Sequence, residues 1–357
     1  MQLVAVPSTA EEETQKTRFL RACMRQPVDA TPVWFMRQAG RYMAEYRQVR
    51  EKHSLLEICR TPELAAEVTM QPIRALHVDA AILFADILLP LIPLGLELSF
   101  SEGVGPVIST PIRTMEDVRK LRLIDVETDL AYVMQAIRML RGELQVPLIG
   151  FCGAPFTVAA YAIEGGASRG FLRTKSMMYS APDAFHALLD RLSDVLADYL
   201  VAQIRAGAQA VQIFDSWVGE LQPIDYATFV QPYSHKVLAK AQAAGVPVIH
   251  FGTNTTHLLT LMKQAGGTVI GFDWRVPLND GWRILGEDVA VQGNLDPAAL
   301  FAPMPELKRR AELVLRGAAG RPGHIFNLGH GILPNTPVDH VRAVVDFVHE
   351  YSAAHHS

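Results

Sequence analysis

Short apolar runs recur along this chain, separated by longer stretches in which apolar residues fall three and four apart. The runs are VWFMR at 33–37, DAAILFAD at 79–86, PLIGFCG at 147–153, AQAVQIFDS at 208–216, VPVIHFG at 246–252, TVIGFDW at 268–274, VAVQGNL at 289–295 and GHIFNLGH at 323–330. Each is apolar on both faces, as a parallel strand is when helices cover its sheet. Between them, TPELAAEVTMQPIRALH opens on Thr61 and Pro62, a cap position followed by a first-turn proline. DAFHALLDRLSDVLADYLVAQIRAG keeps its apolar residues on one stripe and stops at Gly207. DYATFVQPYSHKVLAKAQAAG and TPVDHVRAVVDFVHEY repeat the pattern. Eight strand–helix alternations predict an α/β protein with one (β/α)8 TIM-barrel domain over residues 16–353, with a doubly wound open sheet as the alternative. Residues 1–15 are expected to form a loose tail, and AAHHS at the other end is expected to fray. The 87–125 stretch is longer than a normal crossover. Within it, LGLELSFSEGVGPVIS predicts a hairpin inserted after the second strand, beside the barrel mouth.

Composition fits one large domain. At 357 residues, with 49% hydrophobic and 20% charged, the chain can build the core of a barrel. Its formal net charge of −4 lacks the basic field of a nucleic-acid binder. An acidic small molecule remains open to it, because a local arginine cluster can act against the global charge. Cys23, Cys59 and Cys152 are odd in number and widely spaced, so a reducing compartment and no disulfide framework are expected. The first residues carry no basic stretch before an apolar run, so no signal peptide is expected. No run of about 18 apolar residues predicts a membrane span.

Position gives the polar residues their meaning. The runs end on Arg37, on Asp86, on Asp215 with Ser216, on His250, on Asp273, on Gln292 with Asn294, and on Asn327 with His330. In a barrel these strand ends converge on the catalytic face. Each also has a plainer reading. An aspartate closing a strand is often a turn former; that reading is preferred for Asp215 and Asp273 and weighs equally for Asp86. A lone histidine between glycines, as at His330, is more often a loop residue. Ser216 in FDSWVG lacks the GxSxG elbow of a hydrolase nucleophile. GHGILP and GVGP match neither phosphate-loop nor dinucleotide patterns. HExxH, HxH and cysteine clusters are missing from the sequence, so no metal is expected. Arg37 and Arg41 stand out. Two guanidiniums four apart around a Gln-Ala-Gly turn suit carboxylates or phosphates, with internal salt bridges as the plainer reading.

PVWFMRQAGRYMAEYR at 32–47 and GFCGAPFTVAAYAIEGG at 150–166 resemble the two signatures of the uroporphyrinogen decarboxylase family. The similarity continues through DAAILFADIL, QIFDSW, GFDW, QGNLDP and FNLGHGILPNTP, over essentially the whole chain. Ala44 departs from it, where the family usually carries proline, and Arg275 after GFDW is less usual; no role is attached to it. The resemblance implies a (β/α)8 enzyme, commonly a homodimer, that removes CO2 from the four acetate arms of uroporphyrinogen III. The product is coproporphyrinogen III, on the way to haem and chlorophyll, and neither metal nor organic cofactor is used. By the same resemblance Asp86, Arg37 and Tyr161 are catalytic. Asp86 would accept hydrogen bonds from pyrrole N–H groups and stabilise a cationic intermediate, and Tyr161 would orient it. Arg37 would hold the reacting carboxylate or help deliver a proton, and Arg41 would bind another carboxylate. Gln38, Ala39 and Gly40 would shape the wall, and Ser216 and His330 would hold peripheral arms. A cytoplasmic enzyme is expected, or a stromal one that has lost a transit peptide. Two rivals stand beside this reading. A zinc-dependent methyltransferase of the wider superfamily would need an H-x-C element where this chain has His250-Phe251-Gly252. A tetrapyrrole carrier would need the arginine pair but not Asp86 and Tyr161 together.

Overall fold

The computed structural model describes residues 17–101, 103 and 105–355; the tail expected over 1–15 lies outside them. Its strands are β1 (Ala81–Ile82), β2 (Leu98–Ser101), β3 (Gly105–Ile108), β4 (Leu148–Gly153), β5 (Ala210–Asp215), β6 (Val248–Gly252), β7 (Val269–Gly271), β8 (Ala290–Gln292) and β9 (His324–Ile325). Seven of the eight apolar runs form one sheet in the order β1-β4-β5-β6-β7-β8-β9, every pair parallel. The first run makes only a parallel bridge, Val33 to Phe326. Pro32 has no N–H to give, and the Val33 N–H goes to the Asp79 carboxylate at 2.6 Å rather than to a strand. Phe326 N–H donates to the Pro32 carbonyl at 2.8 Å, and Asp79 N–H to the Val33 carbonyl at 2.8 Å. The run therefore links β9 to the chain entering β1, and the sheet closes into a barrel.

Alternation along the strands sorts their side chains. Ile149, Ala210, Ile249, Val269, Ala290 and Ile325 pack with Trp34 and Met36 inside the barrel. Leu148, Val211, Ile213 and Val248 have the opposite parity and pack in the helix layer. A polar rung crosses the interior. Trp34 Nε1 donates to Gln292 Oε1, and Gln292 Nε2 to Gln212 Oε1, both at 3.0 Å.

The helices follow the expected pattern with local differences. Pro62–Leu76 is capped in position by Thr61, without a side-chain bond. Pro182–Ala206 ends at Gly207, and Val338–Ala353 closes the chain. DYATFVQPYSHK is not one regular helix: Pro232 has no N–H, and a π-helical turn, Tyr226–Val230, precedes Gln231–Ala243. Of the end expected to fray, residues 356 and 357 lie outside the described residues, and His355 N–H donates to the Ser352 carbonyl at 2.9 Å. The predicted hairpin is present, β2 pairing antiparallel with β3. It is stitched to the end of helix Pro155–Glu164 by Ile108 N–H to the Gly165 carbonyl at 2.9 Å and by a Val107–Gly166 bridge. Gly166 makes that approach possible: its φ is +158, and a Cβ there would lie 2.8 Å from the Pro106 carbonyl oxygen.

Candidate active site

Arg37 closes the first run in the left-handed region, at φ +59, which an arginine adopts only when its surroundings hold it there. They do. Gln38 Oε1 accepts Phe35 N–H at 3.1 Å, Gln38 Nε2 donates to the Ala80 carbonyl at 3.1 Å, and the Gln38 carbonyl accepts the Tyr42 hydroxyl at 2.6 Å. Asn327 Oδ1 accepts Met36 N–H at 3.2 Å, and Ile332 N–H donates to the Met36 carbonyl at 2.9 Å. Gln38 is fully buried, so its side chain braces this turn and does not offer a group to a ligand. Its backbone is engaged as well, the N–H on the Phe35 carbonyl at 3.0 Å, so the wall is left to Ala39 and Gly40. Arg37 and Arg41 are exposed, with Ala39 and Gly40 half-buried between them. Among the described residues neither guanidinium forms an ion pair, so the salt-bridge reading falls away. Arg47 has a structural task instead, donating to the Arg41 and Tyr42 carbonyls at 2.9 and 3.0 Å.

Asp86 follows β1 in a turn of its own making: its Oδ1 accepts Leu88 N–H at 2.8 Å. Burial pushes its pKa up to about 6, against the opposing pull of that N–H and of the Arg37 charge. Tyr161, on helix Pro155–Glu164, is pushed up to about 12, first by burial and then by the negative charge of Asp86, while Arg37 acts the other way. Its ring lies 5.8 Å from that of Trp217, which in turn is 5.3 Å from Phe171. Among the described residues no hydrogen bond joins Tyr161 to Asp86; Leu88 is what orients the carboxylate. His330 is pushed down to about 4, by burial and then by Arg37. Its Nδ1 accepts Gly331 N–H at 2.8 Å, so the neutral ring carries its proton on Nε2 and is a donor there. Arg37 is thus the charge felt by Asp86, Tyr161 and His330, which come from three other parts of the chain.

The remaining strand ends divide. Ser216 is half-buried after β5, beside Trp217, and its carbonyl accepts the Thr253 hydroxyl at 2.7 Å. Asp215 has the parity of Val211 and Ile213, faces the helix layer, and pairs with His250 Nε2 at 3.4 Å and the Thr157 hydroxyl at 3.3 Å. Asp273 accepts Asn254 N–H at 2.6 Å and pairs with Arg275, whose guanidinium lies 4.6 Å over the Trp274 ring. Asn294 Nδ2 donates to the Asp273 and Val276 carbonyls at 2.8 and 2.7 Å. These hold the frame, as the plainer reading has it for Asp215 and Asp273. Among the described residues no group of three His, Cys, Asp or Glu is placed to hold a metal ion. Trp217 was not singled out from sequence as a site residue; the aromatic directly after the polar end of β5, in FDSW, is the signal that points to it.

Comparison with known proteins bears on the family of the chain. The family model described as Uroporphyrinogen decarboxylase (URO-D) matches residues 14–351. A uroporphyrinogen decarboxylase of Sorangium cellulosum is 58% identical over 94% of this chain and 97% of its own length. One from Roseiflexus sp. is 57% identical over 94% of this chain and 99% of its own. Among solved structures, a methyltransferase from Methanosarcina mazei superposes with a TM-score of 0.78 over 94% of this chain and 98% of that one. At 21% identity that likeness shows the shared fold alone. A family model matching residues 14–351 and relatives more than half identical over nearly the whole chain show one thing plainly: the chain belongs to the uroporphyrinogen decarboxylase family.

Proposed function

We propose that this barrel mouth binds uroporphyrinogen III and removes CO2 from its four acetate arms, giving coproporphyrinogen III, as a step of tetrapyrrole biosynthesis. The observation that carries the reading is Arg37, an exposed guanidinium without an ion pair among the described residues, whose stem lies against Gly331 beside His330 and whose charge bears on Asp86 and Tyr161. A substrate with eight carboxylates needs cations at the rim, and its reaction needs an anion at the centre.

Loss of CO2 leaves an electron pair that requires a sink. A protonated pyrrole ring supplies one. The proton has to go to the ring carbon next to the one bearing the arm, because the arm-bearing carbon must form an exocyclic double bond as CO2 departs. The pair then enters the ring and neutralises the cation. A second proton converts the exocyclic methylene to methyl and the first proton leaves, so each arm releases one CO2 and takes up one proton net. Asp86 stabilises the cation in this scheme. At an effective dielectric of about 20, two unit charges 4 Å apart attract by roughly 4 kcal/mol. That is about a thousandfold in rate if realised only on the way to the transition state. Arg37 and Arg41 hold carboxylates through their two-pronged donors. A guanidinium is a poor acid, so Arg37 orients the reacting arm and is not the proton source. His330 Nε2–H and the Ser216 hydroxyl donate to peripheral arms, and Tyr161 with Trp217 walls the centre. Anaerobic incubation with uroporphyrinogen III tests this. Coproporphyrinogen III and released CO2 are expected, without added metal or cofactor; tight binding with no product would turn the reading to a tetrapyrrole carrier.

A cytoplasmic homodimer belongs to the same proposal. Leu172, Tyr179 and Ile224 are 79%, 58% and 65% exposed, which supports self-association. Leu172 and Tyr179 share a helix two turns apart, and the Tyr179 hydroxyl donates to Asp225 at 2.7 Å, beside Ile224. Three buried free cysteines suit a reducing compartment. Sedimentation of the purified chain separates dimer from monomer.

A further inference from the structure

We propose that Gly331 is a positioning residue for Arg37: by lacking a side chain it leaves the space in which the Arg37 stem lies. The inference rests on the reading of Arg37 as the group that holds the reacting carboxylate. A Cβ built on Gly331 would stand 2.6 Å from Arg37 Cγ and 3.1 Å from Arg37 Cβ, with Arg37 Cδ closer still. Real Cβ atoms do not approach carbon that closely, and the three nearest atoms all belong to Arg37. Gly331 does not occupy the left-handed region, so a conformational reason for glycine is lacking; the reason is space.

The contact is held from both sides. Gly331 N–H is fixed on His330 Nδ1 at 2.8 Å, and the next residue, Ile332, donates to the Met36 carbonyl at 2.9 Å. The Arg37 backbone is fixed by the buried Gln38 latch. A methyl group at 331 therefore cannot be relieved by a small drift of either backbone. The stem of Arg37 has to change rotamer, which swings the guanidinium away from Asp86 and His330. Gly329, two residues earlier, is a different case. Its Cβ would meet Trp274 at its N, 2.6 Å, and at its ring Cε3, 2.8 Å, and Asp273 Cα at 2.9 Å; none of the three belongs to Arg37, so it spaces two loops.

A double-mutant cycle of Gly331→Ala and Arg37→Ala, with Gly329→Ala as the contrast, tests this through kcat, KM and Tm with uroporphyrinogen III. Gly331→Ala is expected to lower kcat/KM by about 10- to 100-fold, the scale of a displaced catalytic group. It is expected to add almost nothing in the Arg37→Ala background. If Gly331→Ala lowers Tm, Arg37→Ala should largely restore it, because the two atoms nearest the added methyl, Arg37 Cδ and Cγ, are then gone. Gly329→Ala should lower Tm equally with or without Arg37. Equal losses from Gly331→Ala in both backgrounds, or a Tm that stays low in the double variant, overturn the proposal. So does Gly331→Ala with wild-type kinetics beside an impaired Arg37→Ala. Wild-type kinetics in Arg37→Ala itself would instead remove the reading of Arg37 on which the proposal stands.

Discussion

At the scale of single residues, Asp86 carries opposite signs for stability and for chemistry. Burial raises its pKa to about 6, so folding favours the protonated carboxyl, whereas a cationic intermediate favours the carboxylate. A raised carboxyl pKa contributes stability fully present below the unfolded value, about 3.9, and lost as pH rises through about 6. At pH 8 the ionised group therefore opposes folding. Asp86→Asn keeps an oxygen for the Leu88 N–H, so its Tm at pH 8 should equal or exceed that of the wild type. Its kcat/KM should fall by about a thousandfold. Thermal melts beside the anaerobic assay check both halves, and an Asp86→Asn enzyme with wild-type turnover would refute the central-carboxylate scheme. In the wild type, kcat/KM should rise with pH through about 6 and then level, since that parameter reports the free enzyme. A profile that falls through the same pH would make Asp86 the proton donor instead. His330 does not blur this reading. Its pKa is pushed down to about 4, so its ring stays a neutral donor across the range, and its stability contribution is lost only as pH falls from about 6.5 towards 4.

At the scale of elements, the runs and their polar ends were legible in the sequence, but the direction each end faces was not. Asp86 and Asp215 both close a strand, and only the parity of the finished strand sends Asp215 into the helix layer with His250. The first strand shrinks to a bridge because a carboxylate 46 residues away takes the Val33 N–H, which no local pattern announces. The hairpin was legible because its length and alternation are local properties. Gln203 shows the same limit. β1 stops at Ile82, whereas β4 runs on to Gly153, so the Phe151 N–H and carbonyl on that side have no strand to meet. The buried Gln203 amide replaces it, Oε1 accepting Phe151 N–H at 2.8 Å and Nε2 donating to the Phe151 carbonyl at 2.9 Å. Gly150 leaves the room, since a Cβ there would lie 2.6 Å from Gln203 Oε1. Gln203→Ala leaves two buried backbone groups unpaired and should lower stability by about 2–4 kcal/mol. A denaturant titration measures it; a loss below about 0.5 kcal/mol would mean that the amide is not a substitute strand.

At the scale of the whole molecule, the barrel separates the face of the proposed site from a face that holds. The strand ends carry Arg37, Asp86 and His330, while the opposite end gathers the chain's first and last described helices on one carboxylate. Asp79 Oδ1 pairs with Arg18 Nη1 at 3.2 Å, and its Oδ2 accepts Val33 N–H at 2.6 Å and contacts His349 Nε2 at 2.7 Å. Arg18 also grips Asp29, its Nε donating to Oδ1 at 3.1 Å, and Thr31 N–H donates to the Ser352 hydroxyl at 2.9 Å. Arg18 and Asp79 are 6% and 8% exposed, so the pair is barely screened by water. Asp79→Ala removes one of two carboxylates from a buried guanidinium and leaves the Val33 N–H unpaired, and should lower stability by about 3 kcal/mol. Because the site lies at the other end of the strands, kcat at a temperature where the variant is folded should match the wild type. A drop in Tm with unchanged kcat is the signature of the holding face. If folded Asp79→Ala loses turnover in proportion to its stability, the two ends are coupled through the barrel wall, and the division between them is wrong.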